Sequence, residues 1–347
     1  MSSRQRTSCC LSLLLILIML ASMVFLVSDG NRLPAVSDAC YSGEPAPAMA
    51  FTLQPYGCAL AGSALISLLC FVLFSGRKQV FSTTLTFSAL SLLGGFVLAR
   101  LLFCLAEFAF YFHVADLSFL FRFADGGYAM TGALLGVLLA AVWVSRKDPA
   151  FSFKALALSM PIFIFLARLS EAFASTGIGP DLDDEMFLSM EGDWGPVLNV
   201  RLLEAMVALG LFVILLIVLL RSGTTYQEIR GLLLFLVLYG SLQIILESMR
   251  QEGHMVWGFV KAQQLTSFGF AAVAAGLLTF PRGKLRFSLS SIFSVLLAAL
   301  TFACEKNLDR NYFNWPREWI YASFLLLILL YILSILILSS SKNQSEA

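Results

Sequence analysis

The chain has 347 residues, 59% of them hydrophobic and 13% charged, with a mean hydropathy of +0.85 and a formal net charge of +1. That balance leaves too few polar residues to clothe a soluble globule and too much apolar surface for a single core, so the chain reads as a polytopic membrane protein. Its basic residues are scattered through short loops without a patch, which excludes nucleic acid as a partner.

A spanning helix needs about 20 mainly apolar residues. Ten such segments follow one another, near 10–27, 55–75, 81–105, 127–145, 151–174, 200–221, 230–249, 258–280, 288–304 and 319–340. The first, behind "MSSRQR", has the form of a signal-peptide core as well as of an anchor. The following "SDGNRLPAVSDAC" offers only a poor small-residue cleavage site, so an anchor is expected. Seven cysteines, at 9, 10, 40, 58, 70, 104 and 304, form no CxxC and no Cys/His ligand spacing, so no metal site is expected. They read as small membrane-compatible side chains, except that Cys40 and Cys304 could meet in a disulfide.

With the N-terminus in the cytoplasm, the cytoplasmic side holds Arg4, Arg6, Arg77, Lys78, Arg146, Lys147, Lys154, Arg221, Arg230, Arg282, Lys284, Arg286 and Lys342. The opposite side holds only Arg32, Arg122, Arg250, Lys306, Arg310 and Arg317. The positive-inside bias chooses this orientation and puts both termini in the cytoplasm. The acidic stretch "GPDLDDEMFLSMEGDWGP" then faces outward, as a small extramembrane loop domain or simply a solvated loop.

Charges inside spans cost about 2.5–3.5 kcal/mol each on insertion scales and normally face a protein interior or a wet cavity. Here they are Arg100, Glu107, Arg168, Glu171, Arg201, Glu204, Glu247 and Arg250. Arg100, Arg168 and Glu247 come late in outward-going helices, while Arg201 and Glu204 open an inward-going one, so all are expected in the outer half of the bilayer. Gln243 lies roughly 20 Å along its helix from the cytoplasmic end, with Glu247 one turn further out. A transporter site is expected nearer the midplane, between repeated halves, and no repeat is visible. The competing explanation is local: Arg168 with Glu171, Arg201 with Glu204 and Glu247 with Arg250 are i,i+3 pairs that can neutralise one another during insertion.

Order and spacing carry a resemblance. "QPYGCAL", "GGFVLARL", "DGGYAMTGALLGVLLAAVWVSRK", "ARLSEAFASTGIG" and "YGSLQIILESMR" follow one another between residue 53 and about 280, with "VRLLEAM" and "KAQQLTS" in matching order. Together they resemble prolipoprotein diacylglyceryl transferase, the bacterial family that moves a diacylglyceryl group from phosphatidylglycerol onto the lipobox cysteine thiol of a prolipoprotein. The resemblance implies an all-α, polytopic helix bundle with a seven-helix core over 51–284. Residues 1–50 then add an N-terminal helix and outer loop, and 285–347 a two-helix extension. It implies a plasma-membrane transferase of lipoprotein biogenesis, with phosphatidylglycerol, a prolipoprotein lipobox peptide and membrane lipid as partners and no cofactor.

Residue by residue, the resemblance points to Tyr56, Arg100, Gly127, Thr131, Glu171, Glu204, Gln243, Arg250 and Gln263 as substrate-binding, and to Arg168 and Glu247 as catalytic. Guanidinium binds phosphate in a bidentate fork, which suits Arg168 as the clamp on the lipid phosphate, with Arg100 and Arg201 as second choices. Glu247 suits the proton acceptor, with Glu171 second. Three departures stand out: Thr131 occupies the position of the family His, Gln243 that of an Arg, and Glu171 that of an Asn or Cys. Either His113 or His254 could stand in for the missing His, or both are merely interfacial. Gly132 and Gly136 form a small-xxx-small pair that permits close helix packing, a lipid-headgroup role being the alternative. The departures also keep open a non-catalytic paralogue that binds lipid or lipoprotein precursor, and beyond it an unrelated transporter or sensor.

Overall fold

The computed structural model describes residues 3–27, 53–76, 80–108, 120–121, 123, 127–174, 176–192, 195–220, 225–251, 255–310 and 314–340. Cys40, His113 and His254 lie outside the described residues, as do Arg32, Arg77, Lys78, Arg122, Arg221 and Lys342 of the charge count. Among the described residues ten helices are long and apolar enough to cross a membrane, as the hydropathy pattern predicts. They are α1 (Ser3–Leu26), α2 (Pro55–Ser75), α3 (Phe81–Ala106), α4 (Met130–Lys147), α5 (Phe153–Ser170), α6 (Val200–Leu220), α7 (Thr225–Met249), α8 (Ala262–Thr279), α9 (Lys284–Arg310) and α10 (Arg317–Ser339).

The chain divides into two compact units, Met1–Phe212 with Gln251–Met255, and Val213–Arg250 with Val256–Ala347. In the first, α1 packs on α2 and α3: Met23 and Val27 are buried with Ala61 and Ala64, and Tyr56, Phe96 and Tyr128 lie against them. A Cβ at Gly57 would run into the Met23 and Val27 carbonyls, so the absence of a side chain sets how closely α2 approaches α1. The expected contact at Gly132 and Gly136 is present. A Cβ at Gly132 would collide with the Leu98 carbonyl, and one at Gly136 with the Gly94 backbone, so α3 and α4 meet backbone to backbone. Ser67 Oγ donates to the Ser159 carbonyl at 2.9 Å, joining α2 to α5.

The acidic loop after α5 carries a three-stranded antiparallel sheet in the order β1 (Ile178–Asp181), β3 (Pro196–Asn199), β2 (Ser189–Glu191). Ser189 pairs with Leu198 and Glu191 with Pro196, while β1 is bulged between Ile178 and Asp181. The sheet leads directly into α6, whose N-cap is Asn199: its Oδ1 accepts from Leu202 N at 3.1 Å. In the second unit α7 packs along α8, α8 along α9, and α9 along α10. A short β-ribbon, β4 (Val256–Trp257) with β5 (Val260–Lys261), precedes α8.

Candidate functional site

Each unit carries its own group of buried polar side chains. In the first, Arg168 comes from the last turn of α5, Glu171 from the 3-10 turn that follows, and Glu204 from the second turn of α6. All three are buried. Arg168 Nη1 pairs with Glu171 Oε1, and Arg168 Nε with Glu204 Oε2 at 2.8 Å. The i,i+3 pair Arg168–Glu171 therefore forms as its spacing predicts, whereas Glu204 turns to Arg168. Arg201 donates through Nη1 to the carbonyls of Glu171 at 3.5 Å and Thr176 at 3.4 Å, bracing the chain that leaves α5. Asn199, by capping α6, fixes where that helix begins and hence where Glu204 points.

Arg100, 1% exposed in the last third of α3, donates through Nη1 to the Gly127 carbonyl at 3.3 Å. Gly127 has φ +74, and a Cβ there would lie on the Phe103 ring; conformation and space both require glycine. The adjoining backbone is tied down by Ala129 N, which donates to the Ala99 carbonyl at 3.0 Å. Thr131, buried in the first turn of α4, follows directly. Arg100, Gly127 and Thr131 are thus brought to one junction of α3 and α4. Glu107 accepts from Met255 N, and Tyr56, half-buried, belongs to the apolar cluster between α1 and α2.

In the second unit α7 carries Gln243 and Glu247, with Arg250 just beyond its end; all three are buried. Gln263, in the first turn of α8, donates from Nε2 to Glu247 Oε1 at 3.5 Å. Lys261 reaches back from β5: its Nζ donates to the Glu247 carbonyl at 2.6 Å and to the Arg250 carbonyl. An ammonium on the last carbonyls of a helix satisfies acceptors that have no partner within the helix and complements the negative end of its dipole. Sequence reasoning singled out Gln263 but missed its neighbours Lys261 and Gln264. A Gln at the third position of a helix is half of a capping box, a signal that could have found Gln264 though not Lys261: Lys261 N donates to Gln264 Oε1 at 3.0 Å.

Chemically, the first unit offers one guanidinium held between two carboxylates and two more, Arg100 and Arg201, on backbone carbonyls. The second offers a buried carboxylate beside an amide and an ammonium. Anion binding and proton acceptance are within reach of these groups, and Arg100, Arg168, Glu171, Glu204 and Glu247 are buried. Among the described residues no group of three or more His, Cys, Asp or Glu is gathered to hold a metal ion.

No curated protein matches the chain. A family model does: that of prolipoprotein diacylglyceryl transferase, over residues 45–280, about two thirds of the length. The matched range contains every side chain of both polar groups, and its extent carries the assignment: the chain belongs to the prolipoprotein diacylglyceryl transferase family.

Proposed function

We propose that this chain is a phosphatidylglycerol:prolipoprotein diacylglyceryl transferase of the bacterial inner membrane. Family membership supports transferase chemistry with phospholipid and lipoprotein partners and removes the unrelated transporter or sensor from consideration. In the reaction the lipobox thiol gives its proton to a carboxylate, and the thiolate attacks the glycerol carbon of the diacylglyceryl group. A C–S bond forms there as the C–O bond to phosphate breaks, and glycerol phosphate leaves with the electron pair. Arg168 is assigned to the phosphate, Arg100 to the same charge as a second cation, and Glu247 to the proton. Tyr56, Gly127, Thr131, Glu171, Glu204, Gln243, Arg250 and Gln263 are assigned to substrate binding.

The observation that carries this reading is Arg168 itself, buried among apolar helices yet fixed by carboxylates from two other elements. A cation oriented in advance stabilises charge developing on a leaving phosphate without reorganising, and it does so best away from water. The same observation favours a second reading. Two carboxylates already engage Arg168, and Thr131 and Gln243 stand where the resemblance expects His and Arg, which suits a relative that binds lipid or precursor without transfer. The two are separated by complementing a strain depleted of its own transferase and by following labelled diacylglyceryl from phosphatidylglycerol to a lipobox peptide. Growth and transfer are expected; neither one occurring would leave the non-catalytic reading.

Both termini are proposed to be cytoplasmic, with the 175–198 loop outside. A cysteine placed at Asp183, with the native cysteines replaced by serine, should react with a membrane-impermeant maleimide added from outside. Protection there, with labelling only after permeabilisation, would reverse the orientation.

A further inference from the structure

The family match ends at residue 280, yet α9 beyond it returns a carboxylate to the matched helices. Glu305, 7% exposed near the end of α9, accepts at Oε1 from Gln264 Nε2 at 2.6 Å. A carboxylate in a spanning helix is costly to insert and usually faces a polar partner with a task. The plain explanation is that Glu305 only satisfies Gln264. What Gln264 does in turn argues for more.

The Gln264 amide has an acceptor end and a donor end that half a turn exchanges. Glu305 Oε1 and the Ile244 carbonyl, at 3.2 Å, accept only, so together they hold the Nε2 end. The Oε1 end is thereby left facing Lys261 N. That hydrogen bond seats Lys261 at the start of α8, from where its Nζ reaches the Glu247 and Arg250 carbonyls at the end of α7. An unbroken run of contacts therefore leads from the C-terminal extension to the residue assigned to the proton.

We propose that Glu305 is a positioning residue for the Glu247 end of α7. By fixing the Gln264 amide it holds Lys261 against the last carbonyls of that helix, which makes the two-helix extension a working part of the site. The effect on turnover rests on the transferase reading; the effect on structure does not.

The test uses the full chain in detergent with two variants. Glu305→Gln keeps an acceptor for Gln264 Nε2 and removes the charge; Glu305→Leu removes both. Hydrogen–deuterium exchange at the Lys261 amide should rise about tenfold in Glu305→Leu and stay within about twofold in Glu305→Gln, as expected for loss of a buried hydrogen bond to a charged group. Transfer should follow the same order, with kcat about tenfold lower in Glu305→Leu at a KM for lipid changed less than about twofold, and with rescue in Glu305→Gln. Should Glu305→Leu not fold, Glu305→Asp withdraws the acceptor by one methylene and should raise exchange about threefold. Unchanged exchange at Lys261 in the folded Leu or Asp variant overturns the proposal whatever the transfer assay gives. Raised exchange with undiminished kcat in an active enzyme overturns its functional part. A wild type without transfer counts against the transferase reading alone, and exchange still decides the positioning.

Discussion

The polar groups of the two units are closed in different ways. Around Arg168, charge meets charge: one guanidinium from α5 is paired with carboxylates from the following turn and from α6. Around Glu247, the bonds described run between charged and neutral groups: Glu247 accepts from the Gln263 amide, and Lys261 donates to backbone carbonyls at the end of α7. The difference bears on robustness. Removing one member of a buried ion cluster leaves the others uncompensated in low dielectric, whereas removing an ammonium from a helix end returns carbonyls to a state that water or a looser turn can satisfy.

The largest effect is therefore expected at Arg168. Arg168→Ala should abolish transfer and cost about 3–5 kcal/mol of stability, because Glu171 and Glu204 remain buried together. Arg168→Lys should recover little activity, since a point charge cannot serve two carboxylates and a phosphate in fixed directions. The triple variant Arg168→Met, Glu171→Gln, Glu204→Gln sharpens the comparison: with no charge left unpaired, its melting temperature should return toward wild type while transfer stays absent. Transfer by the triple variant would show the cluster to be structural only.

Next in size is the backbone contact that supports the Arg100 junction. Gly136→Leu should force α3 and α4 apart and cost about 3 kcal/mol, as overpacking at a site with no room to give. The readouts are the melting temperature and the transfer rate, and both should fall. A neutral result would mean that α3 and α4 need not touch at Gly136 for the Arg100–Gly127 bond to form.

The spans were legible because a run of about 20 apolar residues has few alternatives. Their ends were less so: α9 runs from Lys284 to Arg310, past the expected 288–304, because apolarity marks only the part of a helix that crosses lipid. The strands of the acidic loop were missed for another reason, being three or four residues long, bulged and without clean alternation. Arg168 with Glu171 could be read from i,i+3 spacing. Arg168 with Glu204 could not, since it depends on the rotation of α6, set by a cap and a sheet. Glu305 escaped because it stands one residue past an apolar run and meets a partner 41 positions away.

In the second unit, Lys261→Met should lower stability by about 2 kcal/mol, the worth of hydrogen bonds from a charged donor, with the apolar stem kept. The loss should be smaller than at Arg168 and nearly independent of Glu247: Glu247→Gln combined with Lys261→Met should cost close to the sum of the two single changes, because the bond described for Lys261 is to the backbone carbonyl of Glu247, which the substitution keeps. Strong coupling between the two side chains would break the contrast between the units, making both of them charge clusters.

The smallest expected effect tests whether the Arg168 cluster is built by its scaffold or only by its charges. Asn199 touches none of the three charged side chains through the bond described for it, but its Oδ1 caps α6 at Leu202 N, two residues before Glu204. Asn199→Ala should cost about 1 kcal/mol, the usual worth of a cap, and Asn199→Asp or Asn199→Ser should retain most of it. If cap geometry directs Glu204 onto Arg168, the Ala variant should also lower kcat several-fold, an effect that Glu204→Gln would erase because no Arg168–Glu204 ion pair is then left to misalign. If the ion pair alone sets the alignment, Asn199→Ala should shift the melting temperature and leave kcat untouched. Measuring both quantities for the single and double variants decides between a cluster that positions itself and one that depends on where the sheet releases the chain into α6.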